Sequence, residues 1–175
     1  MIKIYISPSE KATEHSVGVS LAHHALFDTY GFDAPLMYDS RGKPYFDCNS
    51  VYISISHSHE RCIVAISDRE IGVDIEFRCS DSEKLIRLSK RYFTKNEAEY
   101  VKAQPCERFY EIWCAKESYI KYTGEGFSRT LTSFCVLESD LHFSYFNIDG
   151  YTVCVCSKSK ANTPPIFVEN LNLQA

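Results

Sequence analysis

The sequence lacks any apolar stretch long enough to cross a bilayer, and its first six residues turn polar too quickly for a signal peptide. Its eight cysteines include no Cys-x-x-Cys pair, which argues against a zinc site. Repeats and low-complexity tracts are also absent. Without an export signal, the cysteines are expected to be reduced and mostly buried, and the protein is expected to be cytoplasmic.

Excess charge of one sign is lacking too. The chain has 19 Lys and Arg residues against 23 Asp and Glu residues, a formal net charge of −4, so nothing global predicts binding to nucleic acid or to an anionic membrane. By contrast, apolar residues make up 45% of the chain, with 12 tyrosines and 11 phenylalanines. Its 175 residues suffice for one core, or for two small lobes that share one.

Hydrophobic periodicity predicts strands interleaved with helical blocks, and hence an α+β fold. The expected strands are residues 2–6, 51–56, 61–67, 71–76, 132–137, 142–147 and 151–157. The expected helices run from residue 9 to the residue before Gly31, over 81–91, from 94 onward, and over 106–122. In the polar tail, residues 166–168 are expected to dock on the fold.

The stretch Ile-Gly-Val-Asp-Ile-Glu at residues 71–76 is the centre of the argument. Its alternation places Asp74 and Glu76 on one face of a strand, with Cα atoms about 7 Å apart. Two such carboxylates raise each other's pKa unless a cation lies between them. The pattern favours a hard-cation site over a solvated strand face, and Gly72 leaves room for something to approach the backbone.

A second stretch supplies matching groups. Trp113, Glu117 and Lys121 lie four residues apart and share one stripe of a helix. The stripe could carry an ordinary surface ion pair. If it faces the sheet, however, Glu117 joins Asp74 and Glu76, and Lys121 adds a positive charge. Three carboxylates suit Mg²⁺, which typically bridges phosphates, and an adjacent lysine neutralises phosphate oxygens, as phosphoryl transfer requires.

Five motifs, in order, resemble those of the 4′-phosphopantetheinyl transferases, most closely the surfactin-synthetase-activating type. They are Gly-Lys-Pro at 42–44, Ser-His-Ser at 56–58, residues 71–76, Arg-Tyr-Phe-Thr-Lys-Asn-Glu at 91–97, and Trp-Cys-Ala-Lys-Glu-Ser-Tyr-Ile-Lys at 113–121. The resemblance implies a single domain in which antiparallel sheets pack with helices in a pseudo-twofold, two-lobed arrangement. The expected N-terminal lobe is about 1–70, the C-terminal lobe about 71–157, and the tail 158–175.

The same resemblance implies an activity. Coenzyme A would donate 4′-phosphopantetheine to a serine of an apo acyl or peptidyl carrier protein and release 3′,5′-ADP, the holo-acyl-carrier-protein synthase reaction, with Mg²⁺ as cofactor. By motif position, the implied Mg²⁺ ligands are Asp74, Glu76 and Glu117. The implied coenzyme-binding residues are Lys43 at the adenine end, Ser56 and His57 near the 3′-phosphate, and Lys121, also catalytic, at the pyrophosphate.

Glu97 has two interpretations. It matches the family's proposed general base, which would deprotonate the carrier serine directly or through a metal-bound water. It also completes a capping box with Thr94, in which the glutamate satisfies the N-terminal amide of its own helix. Lys116 points away from Glu117 on the helix and is interpreted as structural.

The N-terminus departs from the family pattern. Larger members grip the coenzyme with lysines and arginines from their first half, whereas the first forty residues here hold only Lys3 and Lys11. We therefore expect Arg41, Lys43 and His57 to bind the 3′-phosphate, and the chain to be either a truncated monomer or self-associating. Two alternative functions remain open: a non-catalytic carrier-binding homologue, and a Mg²⁺-dependent pyrophosphate or nucleotide hydrolase.

Overall fold

The structure of the protein is a computed structural model that describes residues 1–48, 50–126 and 129–169. Its strands are β1 (Ile2–Pro8), β2 (Leu36–Tyr38), β3 (Pro44–Phe46), β4 (Tyr52–Ser58), β5 (Arg61–Ser67), β6 (Ile71–Phe77), β7 (His142–Ile148), β8 (Tyr151–Ser157) and β9 (Ile166–Phe167). Its α-helices are α1 (Glu14–Tyr30), α2 (Ser82–Tyr92), α3 (Lys95–Lys102) and α4 (Pro105–Thr123). The predicted α+β class is confirmed.

The strands form two main sheets and a small hairpin. One sheet has the order β4-β5-β1-β9, the other has the order β6-β8-β7, and β2 pairs with β3. All neighbouring strands are antiparallel except β9, which runs parallel to β1. The tail therefore docks where the sequence predicts, and Val168 N also donates to Ile6 O at 2.8 Å.

Alternating residues divide the core into three parts. On β1, Tyr5 packs with α1, whereas Ile4 and Ile6 pack against the second sheet. A third cluster joins α2, α3 and α4 and reaches β8 through Cys154. The layers are therefore α1, the four-stranded sheet, the three-stranded sheet and the remaining helices. Among the described residues, no helix is both long and apolar enough to cross a membrane.

The strand predicted at residues 132–137 is wrong. This segment forms two 3₁₀ turns, Leu131–Ser133 and Val136–Glu138. Its backbone groups bond to buried side chains instead of a neighbouring strand: Lys116 Nζ donates to Leu131 O and Phe134 O, and Val136 N donates to Glu97. The short strands β2 and β3, which flank the predicted turn at residues 39–44, were not anticipated.

The space beside Gly72 is filled by the backbone of α4. A Cβ atom at Gly72 would lie 1.9 Å from Ser118 O and 2.6 Å from Tyr122 N. Only glycine allows the strand and the helix to approach this closely. The helix then ends at Gly124, whose φ of 69° places it in the left-handed conformation typical of a helix C-cap.

Candidate active site

The carboxylates of β6 lie on the face that packs against α4. Asp74 is only 4% exposed, and its Oδ1 accepts hydrogen bonds from Lys121 Nζ at 2.7 Å and Ser56 Oγ at 2.8 Å. The stripe on α4 thus faces the sheet, as the sequence argument required for a site, and Lys121 is the positive charge beside Asp74. Glu76, nearer the end of β6, accepts a hydrogen bond from Ser58 Oγ at 2.9 Å.

The pKa shifts show how these carboxylates interact. Burial and, after it, the charge of Asp74 raise the pKa of Glu76 to about 7, against the opposing influence of Ser58, Lys121 and Trp113. Burial and Asp74 also raise the pKa of Glu117, against the effect of Lys121. The three acids therefore share one electrostatic environment, in which Lys121 is the positive charge common to both glutamates.

The chemistry of this donor set fits a hard divalent cation. Asp74 Oδ2 is buried and has no hydrogen-bond partner among the described residues, which is costly unless another group binds it. Oxygen donors of this kind are those that Mg²⁺ prefers. In the arrangement of the described residues, no three His, Cys, Asp or Glu side chains surround a common point, and the Lys121 ammonium lies against Asp74. A bound cation would thus compete with Lys121 for Asp74.

The raised pKa of Glu76 leads to a stability prediction. Because its folded-state pKa of about 7 exceeds the ordinary value of 4.5, Glu76 contributes stability below pH 4.5 that is lost as pH rises through 7. Glu76→Gln, which cannot ionise, should therefore be about 1–2 kcal/mol more stable than the wild type at pH 8 without divalent ions, and the gain should shrink at pH 5. Urea unfolding at both pH values measures the difference.

Glu83→Gln, at an exposed position of α2, is the control and should show no such pH-dependent gain. Equal gains for Glu76→Gln at pH 5 and pH 8 would contradict the assigned pKa of Glu76.

A cleft of about 580 Å³ adjoins these residues. Glu117 and Lys121 form part of its wall, and the turn at residues 41–44 and the segment 129–132 form another part. The cationic side chains that line it are Arg41, Lys43, Arg91, Lys121 and Arg129. A cleft of this size and charge suits a small ligand that carries several phosphate groups.

Lys43 lies in the cleft wall but also binds the end of α4. Its Nζ donates to Tyr122 O at 2.8 Å, and Arg41 Nη1 donates to Gly124 O at 3.3 Å. Cations at a helix C-terminus satisfy its last carbonyls and interact favourably with its dipole. The turn predicted to hold the coenzyme therefore also holds the helix that carries Glu117 and Lys121.

Ser56 and His57 lie on opposite faces of β4. Ser56 points to Asp74 and Lys121, whereas His57 Nδ1 lies 3.3 Å from Glu14 Oε2, at the start of α1. The two residues therefore do not meet at one point. The alternation of side chains along a strand would have predicted this separation.

Glu97 is fully buried and forms the predicted capping box. Its Oε2 accepts from Thr94 N at 2.9 Å and from Thr94 Oγ1 at 2.8 Å, and its Oε1 accepts from Val136 N at 2.8 Å. Lys116, also fully buried, lies 2.9 Å from Glu97 Oε2, which agrees with a structural role for this lysine. The general-base role of Glu97 stays a prediction.

Arg129 is a cleft residue that sequence reasoning missed. Its guanidinium lies over the rings of Tyr119 and Phe134, at 5.0 and 4.4 Å from their centroids, and pairs with Glu125 at 2.6 Å. No local pattern indicates this placement, because it depends on how the segment after α4 folds back. The contacts of Ser54 and Ser58 with β6 were missed as well, although the alternation of serines along β4 is a visible signal.

Comparison with known proteins identifies the family of this chain. A family model described as the 4′-phosphopantetheinyl transferase superfamily matches residues 70–165. A 4′-phosphopantetheinyl transferase of Bacillus subtilis is 34% identical over 154 residues, which cover 83% of this chain and 67% of the relative. The 4′-phosphopantetheinyl transferase gsp of Aneurinibacillus migulanus is 38% identical over 99 residues, or 54% of this chain and 40% of the relative.

The 4′-phosphopantetheinyl transferase Sfp of Bacillus subtilis strain 168 is 35% identical over 119 residues, which cover 65% of this chain and 52% of the relative. The matched segments thus span from two fifths to two thirds of these relatives' own lengths. The family match includes β6 and α4, which carry the three carboxylates and Lys121. The chain therefore belongs to the 4′-phosphopantetheinyl transferase superfamily.

Proposed function

We propose that the protein transfers 4′-phosphopantetheine from coenzyme A to a serine hydroxyl of an apo acyl or peptidyl carrier protein, releases 3′,5′-ADP and depends on Mg²⁺. The observation that carries this proposal is that Glu76 and Glu117 each interact electrostatically with Asp74 and Lys121, beside a cleft lined by cations. Family membership supports the transferase class, and the relatives' names supply the transferred group.

The residues suggest a division of roles. Asp74, Glu76 and Glu117 would hold Mg²⁺, which supplies charge neutralisation at the pyrophosphate of coenzyme A. Lys121 would move from Asp74 to a phosphate oxygen and stabilise the charge that develops on the leaving group. Arg41, Lys43, Arg91 and Arg129 would bind the remaining phosphates and orient the coenzyme. The serine oxygen forms the new phosphoester bond as the pyrophosphate bond breaks, and its proton passes to a base.

Intact mass measurement of a small apo carrier protein tests the proposal. After incubation with the protein, coenzyme A and Mg²⁺, the carrier should gain one phosphopantetheine. Asp74→Asn, which keeps the shape of the buried side chain but removes its charge, should lower the rate by at least about 100-fold. Omission of Mg²⁺ with a chelator present should abolish the gain.

The other outcomes distinguish the alternatives. No mass gain on carriers of fatty-acid, polyketide or peptide synthesis, with coenzyme A still bound, would contradict the transferase and favour a non-catalytic carrier-binding protein. Release of 3′,5′-ADP at the same rate with and without a carrier would indicate a hydrolase. A wild-type transfer rate in Asp74→Asn would show that the assigned site does not take part in the reaction.

A further inference from the structure

The two main sheets meet along β4 and β6, and serine hydroxyls join them. These strands belong to different sheets and run in the same direction, with residues 54–58 beside residues 73–77. Val73 N donates to Ser54 Oγ at 3.0 Å, and Phe77 N donates to Ser58 Oγ at 3.2 Å. Side chains at alternate positions of β4 thus satisfy backbone groups of β6 that a neighbouring strand would otherwise satisfy.

One of these hydroxyls also fixes a carboxylate. A serine hydroxyl has one proton, so Ser58, which accepts from Phe77 N, directs that proton to Glu76 Oε2 at 2.9 Å. Ser58 is only 9% exposed, which limits competition from water for this bond. The position of Glu76 is therefore tied to the backbone of its own strand through Ser58.

Ser54 provides a natural comparison. It occupies an equivalent position on β4, is 3% exposed and accepts from the backbone of β6, yet within the described part of the chain it makes no hydrogen bond to a carboxylate. Ser56 differs, since it lies between Asp74 and Lys121 and already belongs to the predicted coenzyme site. Among the three serines, Ser58 is the one that binds a predicted metal ligand without being part of the predicted site.

We propose that Ser58 is a positioning residue that orients Glu76 for the divalent cation. The inference rests on the proposed function, because it presumes a cation held by Asp74, Glu76 and Glu117. A carboxylate whose orientation is fixed by a hydrogen bond loses less conformational freedom when it binds a cation. Loss of such an outer-shell partner typically lowers metal affinity about 10–100-fold.

Titration with Mn²⁺ in the presence of coenzyme A, followed by the electron paramagnetic resonance signal of free Mn²⁺, tests this inference without measuring turnover. Ser58→Ala should raise the Mn²⁺ dissociation constant about 10–100-fold. Ser54→Ala should change it by less than about threefold, because that serine accepts from the backbone of β6 and does not bond to a predicted metal ligand. Coenzyme A binding without divalent ions should be equal in the wild type and Ser58→Ala.

A matched pair of variants separates the hydroxyl from the packing. Ser58→Thr keeps the hydroxyl, whereas Ser58→Val has a side chain of the same shape as threonine with a methyl group in place of the hydroxyl. Mn²⁺ should therefore bind tightly to the Thr variant and weakly to the Val variant. If the wild type binds Mn²⁺ and the Ser58→Thr and Ser58→Val variants bind it with equal affinity, the role of Ser58 is overturned and the proposed function stays intact. No Mn²⁺ binding by the wild type would overturn the cation site itself, and the inference with it.

Discussion

Replacing Gly72 with alanine is expected to lower the free energy of unfolding by more than about 3 kcal/mol. The added Cβ would lie 1.9 Å from Ser118 O and 2.6 Å from Tyr122 N. Both are backbone atoms of α4, which no side-chain rotation can move away. The strand and the helix must separate, and with them the carboxylates of β6 and the Glu117–Lys121 turn of α4.

Thermal unfolding measures this effect, and the midpoint should fall by roughly 6–12 °C or more. Gly18→Ala is the matched control, because its Cβ would meet only side-chain atoms, Ile55 Cγ2 at 3.3 Å and Cys62 Sγ at 3.5 Å. Alanine also favours the helical conformation there by up to about 1 kcal/mol. A midpoint for Gly72→Ala within about 2 °C of the wild type would show that α4 does not pack this closely on β6.

Lys116→Met should lower the free energy of unfolding by about 3–5 kcal/mol, because it leaves the buried charge of Glu97 without its partner. Lys116 and Glu97 are both fully buried and 2.9 Å apart. The lysine also donates to Leu131 O at 2.7 Å and Phe134 O at 2.5 Å, so its loss frees the segment that lines the cleft. Burial lowers the pKa of Lys116, and Glu97 opposes that effect. Urea unfolding measures the loss.

Two further variants test whether the unpaired charge causes the stability loss of Lys116→Met. Lys102→Met removes an exposed ion pair with Glu99 and should leave the urea unfolding midpoint almost unchanged. The double variant Lys116→Met with Glu97→Gln should be more stable than Lys116→Met alone, because the unpaired charge is gone. If it is no more stable, the buried pair is not the source of the effect.

Glu97→Gln alone also separates the two roles of this residue. Glutamine keeps an acceptor for the capping box but loses the charge that pairs with Lys116. If Glu97 only caps and pairs, the variant should be less stable, and its folded fraction should turn over at a near-normal rate. A general base predicts, in addition to the loss of stability, a loss of about 100-fold or more in the kcat of the folded fraction. The contacts of Glu97 favour the first result, since both its oxygens already accept hydrogen bonds.

The sequence predicted those parts of the site that depend on local periodicity. Alternation along residues 71–76 placed Asp74 and Glu76 on one face, and the four-residue spacing on α4 placed Glu117 and Lys121 on one stripe. Both patterns report which side of an element is buried. They do not report which backbone carbonyls a long side chain will reach, so the bond between Lys43 and Tyr122 O could not be anticipated.

The segment after α4 also shows what local sequence patterns do not predict. Its apolar residues indicated a strand, because local patterns assume that backbone groups pair with a neighbouring strand. Here Lys116 and Glu97, distant in sequence, satisfy those groups and stabilise 3₁₀ turns instead. The placement of Arg129 over Tyr119 and Phe134 follows from these turns and was equally hidden.

The parallel pairing of β9 with β1 affects how the protein folds during its synthesis. Roughly 160 residues separate the two strands along the chain, so at ribosomal speeds of 5–20 residues per second the outer edge of β1 stays uncovered for roughly 10–30 s. An uncovered edge is a template for pairing with other chains. Binding of the nascent chain by a chaperone at β1 would therefore be most useful before the last strand of the sheet emerges.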